Sequence, residues 1–387
     1  MTTSLDVEAL RAAEFPWMPD EPGCYLNAAG VGPMPARSVS VATQWATLRS
    51  IPQQLPLSLM QDAASIARKQ FASLVGADAE EIALMPNTTY GLNFAARALP
   101  LSPGVILAFD GEFPSCVYPF QALGERGVSL ELIPKRDGLP DEEAMLTAIA
   151  NRRDVVAVVV SWVQFSNGFV ADLERLGAAC RSRGIFFVVD GIQGCGVLPL
   201  NLHSLPIDIF SSGAQKWLLS PWGTGFVYVR RDLIASLSPH DIGWASMKVS
   251  VDYSRLTDYE FDLFDDARRF EVVTIAYQDF ATANASTGML LDLGVTNIAG
   301  HLRSLGGRIV DWANSRSDVR LVTPADTARR AGIVSFMPEK LQAMDAALNA
   351  ARVEHSVREG AIRLSPHCYN TEKEVDSVLE IMDRAAA

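Results

Sequence analysis

The stretch from Gly184 to Val229 constrains the fold more than any other part of this chain. It reads G-I-F-F-V-V-D-G-I-Q-G-C-G and, further on, P-I-D-I-F-S-S-G-A-Q-K-W-L-L-S-P-W-G-T-G-F-V-Y-V. Ile185 to Val189 form a short β-branched and aromatic run that stops on Asp190, with glycines after it. That is the pattern of a buried strand delivering a carboxylate at its C-terminal end. A second run, Ile207 to Phe210, ends in Ser211, Ser212 and Gly213 and sets Lys216 just beyond, ahead of a third strand from Gly225 to Val229. Open α/β sheets bind ligands beside such strand ends.

An acid and a lysine on neighbouring strand ends, with hydroxyls and glycines between them, suit pyridoxal 5′-phosphate (PLP). That cofactor takes a lysine for its imine, a carboxylate to keep the ring nitrogen protonated and small donors for its phosphate. Singly, an aspartate after a strand is often a turn or cap residue, and Ser-Ser-Gly is often an ordinary loop. Their order together carries the reading.

The pattern V-V-D-x-x-Q, then F-S-S-G-x-Q-K-W-L-x-x-P-x-G-x-G, resembles the class V aminotransferase family of PLP enzymes of fold type I, the group holding cysteine desulfurases, kynureninase and isopenicillin N epimerase-like proteins. The resemblance implies an α/β fold with a large domain, whose mostly parallel mixed sheet is covered by helices, and a smaller α/β C-terminal domain. The expected division is an N-terminal entrance segment at 1–30, a PLP-binding domain at 31–284 and a small domain at 285–387. Alternating strand and helix patterns from about 80 to 230 independently indicate a mostly parallel α/β layer.

Length and composition agree with this. A chain of 387 residues exceeds what one core usually supports, and 49% hydrophobic with 20% charged residues describes a soluble globule. Acids outnumber bases 45 to 33, a formal charge of −12, with no basic cluster, so nucleic acid is not an expected partner. The start carries acids rather than a basic leader and no apolar run could span a bilayer, so a cytoplasmic protein without membrane contact is expected. Five scattered cysteines with no C-x-x-C pair suggest neither a disulfide framework nor a metal site. H-E-x-x-H, a P-loop and a true G-x-G-x-x-G are absent, since Gly191, Gly194 and Gly196 are wrongly spaced.

Other candidates follow along the chain. Asn27, Ala28 and Ala29, in Y-L-N-A-A-G, match the family's entrance segment and would touch substrate, although a surface turn explains them equally well. Asn87, Thr88 and Thr89 fall at a helix N-terminus, where free N–H groups attract an anion, and the resemblance makes them holders of the cofactor phosphate. A plain N-cap is compatible with that role. Phe113, in G-E-F-P-S after the strand Gly104 to Asp110, reads by sequence alone more readily as a core residue, but the resemblance to the epimerase-like branch makes it the candidate to stack on the cofactor ring, where desulfurases carry histidine. Gln164, after the run D-V-V-A-V-V-V-S-W-V, faces cofactor or substrate. By resemblance Gln193 reaches the ring hydroxyl, and Ser212 and Gln215 complete the cofactor contacts. Val117 to Gly124 is expected as a helix, and Ala276 to Leu293 as a long helix interrupted by small residues. R-R-F-E-V-V-T resembles the family's R-F-E-x-G-T, with Val273 in place of glycine. It implies a homodimer in which Thr274 reaches the partner's cofactor phosphate. Arg363, in an apolar strand, needs an anion. A structural acid would serve, but the resemblance gives it the substrate carboxylate.

The implied chemistry is that of a PLP-dependent enzyme acting on an amino acid or amine. Lys216 forms the imine and then serves as base at Cα, while Asp190 holds the ring proton. Transamination is the expected outcome, with epimerase or C–S/β-lyase chemistry as the alternative. Persulfide-type desulfuration is disfavoured: Cys368 lies beyond Arg363 rather than on a loop before it, and Gln215 stands where desulfurases have histidine.

Overall fold

The continuous apolar runs become the middle of a seven-stranded sheet. The structure is a computed structural model and describes residues 5–272 and 274–386. In chain order the strands are β1 (Cys24–Tyr25), β2 (Ile82–Met85), β3 (Gly104–Phe109), β4 (Val128–Ile133), β5 (Val155–Ser161), β6 (Phe186–Asp190), β7 (Ile209–Gly213), β8 (Gly225–Val229), β9 (Val319–Leu321), β10 (Val334–Pro338), β11 (Val353–Glu354), β12 (Ser356–Arg358) and β13 (Ala361–Leu364). The large sheet has the order β2-β8-β7-β6-β5-β3-β4, and only β8 runs against the rest.

Alternation along each strand feeds two cores, because successive side chains leave opposite faces. Leu107, Val158, Val160, Phe187, Val189 and Phe210 pack on one side. Ile106, Ala157, Val159, Val188 and Ile209 pack on the other. Helices Leu57–Val75 and Leu173–Ser182 cover the first face and helix Thr88–Ala98 the second. With both faces dry, a strand needs no polar alternation, which is why these read as unbroken β-branched runs.

A second, antiparallel sheet has the order β12-β13-β10-β9. Val334, Phe336, Ile362 and Leu364 form one face of it, against helices Val295–Asn314, Leu341–Ala350 and Glu372–Ala386. The other face is polar and meets the loop after β5. Ser335 Oγ donates to the Ser166 carbonyl at 2.6 Å, and Thr323 Oγ1 to that of Asn167 at 2.6 Å. The N-terminal segment joins this smaller layer, with β1 parallel to β11.

Some local expectations are corrected. Val117 to Gly124 is no continuous helix but one turn, Tyr118–Gln121, between 3-10 turns at Pro114–Cys116 and Gly124–Arg126. Pro114 and Pro119 lack the N–H that a longer helix requires. Tyr277–Leu293 is uninterrupted, because its Ala, Ser and Thr residues let it pack against the helices of the first core. The expected boundary at 284/285 falls within this helix. The departure at Val273 lies outside the described residues.

Candidate active site

Strand register builds the site. Parallel pairing sets Ser161 of β5, Asp190 of β6 and Ser211 of β7 side by side, while Gly213 and Met85 flank Gly225 on β8. Four strand ends thus share one edge of the large sheet, and each hands its next residues to the same space.

Asp190 is only 3% exposed. Its Oδ1 accepts from the Ile192 N–H at 2.9 Å, and Oδ2 lies 3.7 Å from Cys116 Sγ. Burial pushes its pKa up, opposed by the Ile192 N–H and the charge of Lys216. Among the described residues no cation stands within ion-pair distance of it.

Lys216 follows β7 in a tightly held turn. Leu219 closes the turn with φ +54°, a left-handed value that favours glycine, and its N–H donates to the Lys216 carbonyl at 3.1 Å. The Gly32 N–H donates to the Gln215 carbonyl at 2.9 Å. A Cβ on Gly32 would sit 2.1 Å from the Lys216 carbonyl oxygen, so only glycine lets the entrance segment approach this closely. Burial, opposed by the charge of Asp190 and helped by those of Arg363 and Arg358, lowers the Lys216 amine to a pKa of about 8. Its Nζ lies 5.6 Å from the Phe113 ring centroid, and that ring meets Phe165 edge-on at 5.2 Å.

Asn87 caps helix Thr88–Ala98, its Oδ1 accepting from the Tyr90 N–H at 2.9 Å. Thr88 Oγ1 accepts from the Gly213 N–H at 2.7 Å, and its carbonyl accepts from Ser211 Oγ at 3.1 Å. Thr89 Oγ1 and Ser115 Oγ share a hydrogen bond at 2.7 Å on the exposed side. The helix N-terminus is thereby tied to the end of β7. Ser212 donates to the Gly213 carbonyl at 3.0 Å.

Gln193 is anchored at both ends: Nε2 donates to the Ala29 carbonyl at 3.2 Å, and Oε1 accepts from Trp217 Nε1 at 2.7 Å. Gln164 Nε2 donates to Glu112 Oε1 at 2.8 Å. Glu112, which the sequence reading passed over, also accepts from the Ser161 N–H at 2.9 Å and from Ser161 Oγ at 2.5 Å. Burial raises it to a pKa of about 7 against those bonds, with Asp190 adding to the rise. The available signal was Ser161, a polar residue ending an apolar strand beside Asp190.

Arg363 is 2% exposed and has no carboxylate partner among the described residues. Nη1 donates to the Phe165 carbonyl at 2.8 Å and Nη2 to Ser356 Oγ at 3.2 Å, while Nε, also buried, has no partner. Burial lowers its pKa to about 10. Ser356 Oγ in turn donates to Asn27 Oδ1 at 2.7 Å. The Ala28 N–H donates to the Ser365 carbonyl at 3.1 Å and the Ala29 N–H to Ser365 Oγ at 3.0 Å, so the entrance segment rides on the strand that carries Arg363.

Asn27, Asn87, Thr88, Phe113, Gln164, Asp190, Gln193, Gln215, Lys216 and Arg363 thus come from both sheets to one neighbourhood. Thr274 does not join them in the single chain. It is exposed between the turn Ala267–Phe270 and helix Tyr277–Leu293. The preceding Glu271 is fixed by Arg68, at 2.9 and 2.6 Å, and by the Leu84 N–H at 2.9 Å.

A buried acid without a cation and a buried arginine without an acid, both acting on one near-neutral amine, are charges left for a ligand to complete. A pyridinium nitrogen suits Asp190, an aldehyde suits Lys216 and a carboxylate suits Arg363, so the residues present fit PLP and an amino acid.

The chain is similar to known proteins in sequence and in fold. The family model described as aminotransferase class-V matches residues 57–378. An uncharacterized aminotransferase of Bacillus subtilis is 27% identical over 81% of this chain and 81% of its own. Isopenicillin N epimerase of Streptomyces clavuligerus is 27% identical over 92% of this chain and 94% of its own. Among solved structures, a C-DES variant with glycine covalently linked to its PLP cofactor superposes with a TM-score of 0.86 at 22% identity, covering 96% of this chain and 99% of that one.

Proposed function

This chain belongs to the class-V aminotransferase family, and we propose that it is a PLP-dependent transaminase of an amino acid or amine working through Lys216. The observation that carries the reading is the pair of buried groups without an ion-pair partner among the described residues, Asp190 and Arg363, both acting on an amine whose pKa has fallen to about 8.

When bound, PLP supplies an aldehyde for that amine and a protonated ring that draws electrons from the substrate's Cα. Asp190 keeps the ring proton, since its buried carboxylate gains more from a cation than from water it cannot reach. Arg363 takes the substrate carboxylate in a two-point contact, and Phe165 and Ser356 hold the guanidinium in place. Asn87, Thr88 and Thr89 with the first turn of their helix take the phosphate. Phe113 would pack against the ring, and Gln164, Gln193, Ser212 and Gln215 would complete the cofactor contacts. Asn27 and Ala28 close the substrate side.

Among the described residues Lys216 is the only amine there poised near neutrality. Phe113 and Gln215 offer no titratable proton at the positions where desulfurases place histidine, so Lys216 would itself move the proton taken from Cα; delivering it to the cofactor's former aldehyde carbon would give transamination, and returning it to Cα would give epimerisation. Cys368 is wholly buried and its thiol is pushed up in pKa, which removes it as a persulfide nucleophile. Epimerisation and C–S lysis share the first proton transfer and form the second reading, supported by the epimerase relative. The protein is further read as a cytoplasmic homodimer in which Thr274 of each chain reaches the other's phosphate. No helix among the described residues is long and apolar enough to cross a membrane.

The test is spectroscopic and chemical. PLP added to the protein should give a visible band that borohydride bleaches and that Lys216→Ala lacks. Amino acids should then convert 2-oxoglutarate or pyruvate to its amino acid at substrate rates. Racemisation or release of a β-substituent without amino transfer would replace transamination by the second reading, and absence of the band would end both.

A further inference from the structure

The hairpin β12–β13 carries a second arginine toward the site. Its two turn residues, Glu359 at φ +48° and Gly360 at φ +77°, are both left-handed, the requirement of a two-residue turn that pins strand register. In that register Ser356 faces Arg363 and Arg358 faces Ala361. Residues opposite one another, and residues two apart on one strand, share a face. Ser356, Arg358, Ala361 and Arg363 therefore lie on one face of the hairpin. The hydrogen bond from Arg363 to Ser356 identifies it as the face turned to the active site.

Arg358 is exposed and, among the described residues, bonds only its neighbour's carbonyl, that of Val357, at 2.9 Å. Among the described residues no acid pairs with it, although the chain holds 45 acids against 33 bases and most other arginines along the surface find a carboxylate. The opposing Ala361 is small and leaves the guanidinium room to move. Its charge acts on both Lys216 and Arg363. The mouth of the site thus carries one more positive charge than an α-carboxylate neutralises, and it carries it on a flexible, solvated side chain whose fork suits a second carboxylate.

We propose that the substrate is an amino acid with a second carboxylate on its side chain, and that Arg358 selects it over the neutral analogue. Arg363 holds the α-carboxylate and Arg358 closes on the distal one. This rests on the PLP-enzyme reading above and names the substrate class for that same site.

The experiment uses the PLP-loaded protein and follows the cofactor's visible band on titration with L-glutamate against L-glutamine and L-aspartate against L-asparagine, in wild type, Arg358→Gln and Arg358→Lys. The wild type should bind at least one acid roughly tenfold or more tightly than its amide, as a charge-assisted contact would give. That ratio should fall towards one in Arg358→Gln and recover in part in Arg358→Lys. Equal affinity for acid and amide in the wild type, or a ratio that Arg358→Gln leaves unchanged, overturns the proposal while the enzyme reading stands. A band that no amino acid perturbs removes the enzyme reading, and this one with it.

Discussion

His367 Nε2 donates to the carbonyl of Trp217 at 3.0 Å and so joins the segment after β13 to the residue next to Lys216. The Cys368 N–H donates to His367 Nδ1 at 2.6 Å, which leaves the ring proton on Nε2. The ring is wholly buried between Trp217 and Tyr369, with centroids at 5.5 and 5.4 Å. A neutral imidazole is required on both counts: Nδ1 must accept, and among the described residues no anion is there to balance a charge.

Burial lowers the His367 pKa to about 4 from 6.5. Between those values the unfolded chain binds a proton that the folded chain refuses, so stability is lost as pH falls from 6.5 to 4. We expect His367→Phe to remove that part of the acid sensitivity, on the order of 2–3 kcal/mol at 1.36 kcal/mol per pKa unit. Urea unfolding of both proteins at pH 7 and pH 4.5 measures it. Parallel pH profiles would show that His367 titrates normally.

Arg363→Met separates binding from stability. Replacing a buried unpaired charge by an apolar side chain of similar length should leave the cofactor-free protein as stable or make it more so, by about 1–3 kcal/mol. Amino-acid binding should weaken by roughly a hundredfold or more, the effect of losing a two-point carboxylate contact. Thermal unfolding and titration of the visible band report the two effects. A fall in melting temperature together with intact binding would make Arg363 a structural residue.

Lys216→Met addresses the lowered amine in the cofactor-free protein. Its folded pKa of about 8 lies below the ordinary 10.5, so the unfolded state holds the extra proton between these values and stability rises with pH across that window. Below pH 8 the wild type therefore bears the full penalty. At about 1.36 kcal/mol per pKa unit, the interval from 10.5 to about 8 makes this penalty about 3 kcal/mol. Lys216→Met should be the more stable protein at pH 7, and its advantage should shrink by pH 10. An advantage that does not change with pH would mean that the amine is not perturbed.

Gly32→Ala tests the close approach of the entrance segment. The added methyl would press on the Lys216 carbonyl, which is backbone and cannot swing away. A cost of about 1–3 kcal/mol is expected, as in overpacked cores. PLP affinity should drop with it, because the shift falls on the lysine turn. Unchanged stability and unchanged PLP affinity would show that the two segments separate freely.

The amino-acid sequence by itself determined the large sheet and the placement of Asp190 and Lys216 at its strand ends. A strand buried on both faces must be apolar throughout, so the first polar residue after it marks where the strand ends, and parallel strands bring those ends to one edge. Asp190, Ser211, Lys216 and the Asn87–Thr88 helix start were legible for that reason. The tertiary structure alone decided that Glu112 pairs with Gln164, that Arg363 lacks an acid, that Trp217 leans on His367 and that Arg358 shares the face of Arg363. Each of these depends on hairpin register or on the meeting of segments far apart in the chain. Local periodicity carries no information about which distant carboxylate or carbonyl comes within 3 Å, since many packings satisfy the same pattern of apolar residues and only one sets those polar atoms together.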